Sequence, residues 1–316
     1  MRNSAILGLA LSAALGAAGC AGPGFSAPPG IVMTPSVKSM GIHPSQTKIA
    51  YGNRSSSQHL DLYLPSGQGL FPVVVYIHGG GFKFGDRQMI SAALVKGYLD
   101  AGYAVASLDY RLSGEAPFPA AAQDVLQAIG FIKQNSQGLQ INQHEVVVFG
   151  ESAGANLAAL AGTAYNDKIL RANVDNPDIN LKPMAVIAHY PPVDFLQIDP
   201  MLAAQGCPAG QLHDSANSFE SAYMGAALPT IPDKVKQSNP ASYISASSAP
   251  FFIQNGDADC NVGAGQSMLL VSALQAAQIP VTYERIPGAS HGGPAFETPD
   301  NIQKILAFLQ PLLSPH

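Results

Sequence analysis

Ser152 stands in Gly150-Glu151-Ser152-Ala153-Gly154, after the apolar run Glu145 to Phe149 and before the small-residue stretch Ala155 to Ala164. That setting predicts strand, sharp turn and helix, with the two glycines letting neighbouring backbone approach a serine hydroxyl held at a sheet edge. A serine hydroxyl is a weak nucleophile at neutral pH, so it needs a base within hydrogen-bond reach and a third group to orient that base. Histidine is the side chain whose ordinary pKa suits the base. Of the eight histidines, His291 is the best placed, in the turn Gly288-Ala289-Ser290-His291-Gly292-Gly293 after the last predicted strand. His43, His59, His144, His213 and His316 fall at a tether, an exposed strand face, a strand approach, an irregular stretch and the terminus, and His189 ends a strand as a core or rim residue. The acid has two candidates after the run Phe251 to Gln254, Asp257 and Asp259, with Asp194 a third after the preceding strand. Acyl chemistry on serine also needs N–H donors for a tetrahedral oxyanion. His78-Gly79-Gly80-Gly81-Phe82 offers backbone amides free of side chains, although a tight turn is the ordinary use of such a triplet.

Those residues must be held by elements whose periodicity can be read directly. Lys48 to Asn53 and Gln58 to Leu64 predict an antiparallel pair; in the second, His59, Asp61 and Tyr63 alternate with Leu60, Leu62 and Leu64, the period of a half-buried strand. Pro72 to Ile77 is a continuous β-branched and aromatic run, as in a strand covered on both faces. There follow a helix over Met89 to Ala101, a strand over Tyr103 to Leu108, a helix over Pro119 to Gln134 and the strand and helix around Ser152. After the strand Met184 to His189, the irregular stretch Pro191 to Ser248 reads as a small cap or insertion over the site, with Phe195, Phe219, Tyr223 and Met224 either facing an acyl chain or packing the insertion down. A strand over Phe251 to Gln254, a helix over Gly265 to Gln278, a strand over Val281 to Ile286 and a helix near Asp300 to Leu313 complete the chain. Strand and helix alternating at short spacing imply one α/β domain, residues 43–316, built on a mainly parallel sheet with helices on both faces.

The chain has 316 residues, a net charge of -5 and no cluster of Lys or Arg, which excludes nucleic acid as a partner. No His-x-x-x-His pair, cysteine cluster or phosphate loop supports a metal or a nucleotide, so no cofactor is expected. Arg2 followed by the apolar run Ala5 to Ala18 reads as an export signal over residues 1–19. The run ends Ala17-Ala18-Gly19-Cys20, which resembles a bacterial lipobox with Ala17 where Leu is usual. Acylation of Cys20 would hold the protein on a membrane surface, whereas ordinary cleavage nearby would release it. Residues 20–42, rich in Gly, Pro and Ser, read as a flexible tether. With Cys20 so assigned, Cys207 and Cys260 are expected to pair as a disulfide in an oxidising compartment.

From Leu60 to Leu313 the chain resembles the α/β-hydrolase family, in particular its esterase branch with a His-Gly-Gly-Gly motif, the hormone-sensitive-lipase-like and feruloyl-esterase-like carboxylesterases. The resemblance implies the α/β-hydrolase fold with a small cap, Ser152 as nucleophile, His291 as base and the chain order Ser, acid, His. It favours Asp259 as the acid, since Asn255 to Val262 is similar to a His-Gly-x-x-Asp-x-x-Val-Pro signature, with Asn255 replacing His and Gly263 replacing Pro. It also implies an oxyanion hole from the N–H groups of Gly80, Gly81 and Ala153, with His78 structural. Arg111 and Asp124 are expected to form an ion pair that holds loops, and Glu151 either tunes the elbow by hydrogen bonding or is a tolerated polar residue. The implied activity is hydrolysis of short-chain carboxylic esters, small molecules, through an acyl-enzyme. Its rivals are an esterase of feruloyl or acetyl groups on carbohydrate, a serine peptidase, and a non-catalytic surface lipoprotein on a hydrolase scaffold.

Overall fold

The computed structural model describes residues 34–210 and 212–314. The expected export signal, Cys20 and most of the expected tether lie outside the described residues, as does His316. Eight strands, β1 (Gln46–Ala50), β2 (His59–Tyr63), β3 (Phe71–Ile77), β4 (Ala104–Leu108), β5 (Ile141–Glu151), β6 (Ala185–His189), β7 (Phe251–Gly256) and β8 (Val281–Ile286), form one sheet in the order β1-β2-β4-β3-β5-β6-β7-β8. The helices are α1 (Val37–Met40), α2 (Ala92–Asp100), α3 (Ala120–Gln134), α4 (Ala153–Thr163), α5 (Ile198–Gln205), α6 (Phe219–Met224), α7 (Pro232–Gln237), α8 (Ala264–Ala276) and α9 (Pro299–Leu309). β1, β2 and β4 pair antiparallel, and every pairing from β4 across to β8 is parallel.

The period of two along each strand sorts the core into two layers. Val73, Val75 and Ile77 of β3 share one layer with α3, α4 and α8, whereas Val74 and Tyr76 share the other with Leu94 and Tyr98 of α2 and Ile302 and Ile305 of α9. Both faces are therefore covered, which is why the central strands are apolar runs and not alternations. β2 departs from the half-buried expectation: Asp61 and Tyr63 are buried too, and the Asp61 carboxylate is neutralised by Arg87 at 2.8 Å. β5 starts earlier than expected because Phe71 pairs with Ile141; the register then shifts at Pro72, which has no N–H for the ladder.

Residues 34–42 correct the tether expectation at its end. Ser36 bridges to Ser91, and Val37 is buried beside Ile90. The stretch 191–248 is not irregular, since α5, α6, α7 and short 3-10 turns fold it down over the sheet. Phe195, Tyr223 and Met224 are fully buried there, with Tyr223 stacked on Phe82 at 3.8 Å, so these three pack the insertion onto the sheet.

Candidate active site

In a parallel sheet the loops that follow the strands leave from one edge. Here those loops carry the glycine triplet after β3, Ser152 after β5, Asp259 after β7 and His291 after β8. Ile77 lies opposite Gly150 in the ladder, so the triplet and the elbow are neighbours by register alone. Ser152 has φ 53° and ψ -122°, a left-handed conformation that costs a non-glycine residue about 1–3 kcal/mol. The strain is held by close backbone packing. A Cβ on Gly150 would run into the Gly154 carbonyl, and one on Gly154 into the Ile77 carbonyl, so only glycine fits at either place. The Ser152 N–H donates to the His189 carbonyl of the adjacent strand at 3.0 Å, and the Ser152 carbonyl accepts from Ala155 and Asn156 as α4 begins.

The three expected side chains meet. His291 Nε2 is 2.8 Å from Ser152 Oγ, and His291 Nδ1 is 2.8 Å from Asp259 Oδ2. Asp259 is 0% exposed, and its other oxygen accepts from the N–H groups of Asn261 at 2.8 Å and Val262 at 3.1 Å. Burial alone would raise this carboxyl, but the imidazole and those two N–H donors outweigh it and hold the group below the ordinary carboxylate range. The two carboxylates left open by the residues are thereby separated: Asp257 is exposed and accepts from the Gly288 N–H at 2.6 Å, tying the histidine loop from outside. Asp194 caps the turn at Phe195 by accepting from the Leu196 N–H at 3.1 Å.

Among the described residues, the N–H groups of Gly80, Gly81 and Ala153 enter no turn or ladder hydrogen bond. Ala153 is the first residue of α4, where such donors are unpaired by helix geometry and the dipole favours negative charge. A Cβ on Gly79 would sit 3.3 Å from the Ser152 Cβ, which brings the glycine loop directly against the Ser152 turn. His78 takes no place beside Ser152: it is buried, its Nδ1 is 2.7 Å from the Gly79 carbonyl, and its ring stacks on Tyr110 at 4.3 Å. Burial drives its pKa down, so it holds the loop as a neutral ring. Arg111 and Asp124 pair at 2.7 Å, with Asp124 also accepting from Gln58 at 2.7 Å, which anchors the loop after β4. At the mouth, Phe219 of the insertion lies against Gly81 and edge-on to Phe84 at 5.6 Å.

Cys207 and Cys260 form the expected disulfide, joining the end of α5 to the residue after Asp259 across 53 positions. Gln205 adds a second tie by donating to the Asp259 carbonyl at 2.8 Å. Closing a loop of that length stabilises by about 4 kcal/mol in the chain-entropy account. Cys207→Ser is therefore expected to lower the unfolding free energy by up to about that amount, and to lower kcat by loosening the acid loop. Denaturant unfolding and turnover, with and without reductant, check both effects.

Three contributors, Asn255, Ser267 and Tyr190, were given no role from the sequence. Asn255 stands where the similar signature has His; its amide donates to Asp259 Oδ2 at 3.3 Å, and it is itself fixed by the Ser267 hydroxyl. Tyr190 lies with its ring centroid 4.6 Å from that of His291. Its only signal in the sequence is its place directly after a sheet strand.

A family model described as BD-FAE matches residues 60–274, a span that holds the glycine triplet, Ser152 and Asp259. Among curated relatives, esterase LipQ of Mycobacterium tuberculosis is 27% identical over 222 residues, 70% of this chain and 50% of the relative. Among solved structures, a truncated form of a carbohydrate esterase from gut microbiota is similar with a TM-score of 0.77 and 26% identity, covering 84% of this chain and 95% of that one. A bifunctional GH43-CE protein of Bacteroides eggerthii is similar with a TM-score of 0.76 and 29% identity, covering 84% of this chain and 35% of that one. The chain spans about half the length of the curated relatives it matches, 50%, 53% and 55% for three of them.

Proposed function

The chain belongs to the BD-FAE family and has the α/β-hydrolase fold, and from that premise we propose that it is a serine carboxylesterase hydrolysing short-chain carboxylic esters through an acyl-enzyme. The observation that carries the proposal is the unbroken hydrogen-bonded line from Ser152 Oγ through His291 to Asp259, beside three N–H groups without a partner among the described residues. In the first half-reaction Ser152 Oγ attacks the ester carbonyl carbon while His291 Nε2 takes the hydroxyl proton. The carbonyl oxygen gathers negative charge against the N–H groups of Gly80, Gly81 and Ala153. Asp259 fixes the imidazole with Nε2 toward the serine and stabilises the imidazolium. The C–O bond then breaks, and His291 returns the proton to the departing alcohol. Water, deprotonated by His291, attacks the acyl-serine, releases the carboxylic acid and restores the Ser152 hydroxyl. The curated relatives named esterase and carboxylic ester hydrolase support this activity.

A second reading, hydrolysis of acyl groups carried on carbohydrate, is favoured by the two solved structures above, named as a carbohydrate esterase and a GH43-CE protein. One assay separates the two: kcat/KM for p-nitrophenyl esters from acetate to laurate, beside methyl ferulate and acetylated xylan. The expected optimum is acetate to butyrate. Turnover concentrated on ferulate or acetylated xylan selects the second reading, and absence of turnover on every ester sinks both. We further propose, from the sequence of residues 1–20 alone, that the protein is exported and held on a membrane by an acylated Cys20.

A further inference from the structure

Behind the Ser152–His291 pair lies a half-buried polar group to which the acyl-transfer chemistry assigns nothing. Glu151 ends β5 and directly precedes the nucleophile. Its Oε2 accepts from the Tyr76 hydroxyl of β3 at 2.5 Å, and it is hydrogen-bonded to Tyr190 in the turn after β6. Tyr190 has φ 43°, a left-handed conformation that a bulky residue adopts only where the surroundings compel it. That conformation turns its ring onto the imidazole of His291, at 4.6 Å and 58°, while Phe296 closes the far side edge-on at 4.8 Å. A Cβ on Gly292 would lie 3.0 Å from the Tyr190 hydroxyl, a tight approach, and the φ of 88° at Gly292 favours glycine in its own right. Glu151, Tyr190 and His291 thus form one continuous contact.

The titratable groups acting on Glu151 come from every side of it, Tyr98 of α2 among them. Tyr76 comes from β3, His189 from the end of β6 at 3.9 Å, Tyr190 from the following turn, His291 from the loop after β8, and Glu297 from the turn before α9. Glu297 is held in place by hydroxyl donors from Thr34 and Ser91. His189 carries no charge to answer the carboxylates, since burial drives its pKa down to about 3. Burial, and then the charge of Glu297, lift Glu151 to about 7, against the two tyrosine donors and His291. Its charge therefore changes within the working range of a histidine base.

We propose that Glu151 and Tyr190 are positioning residues for His291, with Tyr190 holding the ring in register and the Glu151 carboxylate stabilising the imidazolium that forms as Ser152 attacks. This rests on the esterase proposed above. A structural role alone would need the two hydrogen bonds and no charge, so the test must vary charge at constant shape. Glu151→Gln keeps an acceptor for Tyr76 and Tyr190 and removes the ionisation. Its kcat is expected to fall roughly 10-fold, a small share of what a charge aimed at the reacting centre contributes, with KM little changed. The acidic limb of its kcat/KM profile is expected to lose one proton from its slope, because in the native enzyme that limb reports the base and Glu151 together. Tyr190→Phe keeps the ring but withdraws a donor that favours the charged carboxyl, so the upper ionisation of the limb is expected to move to higher pH. Active-site titration by a fluorophosphonate normalises each variant to folded, competent enzyme. An acidic limb unchanged in slope in Glu151→Gln overturns the proposal. If that variant fails to fold, an unmoved limb in Tyr190→Phe overturns it equally. A native enzyme without esterase turnover defeats the parent proposal instead, which keeps the two failures distinct.

Discussion

Ser152→Ala is expected to lower kcat on p-nitrophenyl butyrate by roughly 10⁴- to 10⁶-fold, the range over which removal of a serine nucleophile leaves only binding and oxyanion stabilisation. The same variant should lose covalent labelling by a fluorophosphonate, which requires an activated serine and not merely a pocket. The fold should survive the change. The strained backbone at position 152 is compelled by Gly150, Gly154 and the His189 carbonyl, and among the described residues the missing hydroxyl had one partner, His291 Nε2. Alanine tolerates φ 53° no better than serine, so the native strain is retained and little new strain is added. Mass spectrometry of the labelled protein places the adduct. Labelling that persists in Ser152→Ala, or is absent from the folded native protein, would remove the basis for the acyl-enzyme. Absence of labelling in the folded native protein would also revive the non-catalytic scaffold, which predicts silence in both proteins.

Asp259→Asn is expected to cost about four orders of magnitude in kcat, as loss of the carboxylate frees the imidazole to adopt the wrong tautomer. Asp257→Asn is expected to stay within a few-fold of native, because that side chain is exposed and among the described residues bonds the Gly288 N–H alone. Near-native turnover in Asp259→Asn together with collapse in Asp257→Asn would reverse the assignment. The two variants should also differ in stability against pH. The folded-state pKa of Asp259 is depressed, so the stability it contributes is complete above its ordinary value of about 3.9 and is lost as pH falls through the lower folded value. Asp259→Asn should lack that acid-side loss. Glu151 acts with the opposite sign: its pKa is raised to about 7, so its ionisation costs stability as pH rises from the ordinary carboxylate value toward that figure. Thermal unfolding of the native protein and the variants between pH 3 and pH 8 measures both slopes.

The sheet, the elbow, the glycine loop and the histidine turn were legible because each is written locally. β-branched runs make covered strands, and Gly-Glu-Ser-Ala-Gly makes a turn that side chains elsewhere would block. The insertion misled for the opposite reason. Aromatic residues at Phe195 and Tyr223 suit a pocket wall or a core equally, and only the stacking partner Phe82, more than a hundred positions away, assigns them to the core. The half-buried reading of β2 failed likewise, since Asp61 is buried only because Arg87 reaches it from another element.

By itself the sequence determined the fold class and, through motif and strand order, brought Ser152, His291 and the glycine loop to one sheet edge, where the proposed chemistry needs them. It left the acid open between neighbours two residues apart until a resemblance favoured one. Only the tertiary structure separated them physically: the turn after β7 buries Asp259 against the imidazole and leaves Asp257 in solvent. The cluster of Glu151, Tyr76, Tyr190 and Glu297 was beyond reach for the same reason. Each member is an ordinary polar residue in its own segment, and the ionisation of Glu151 is shifted by what four other segments bring to it.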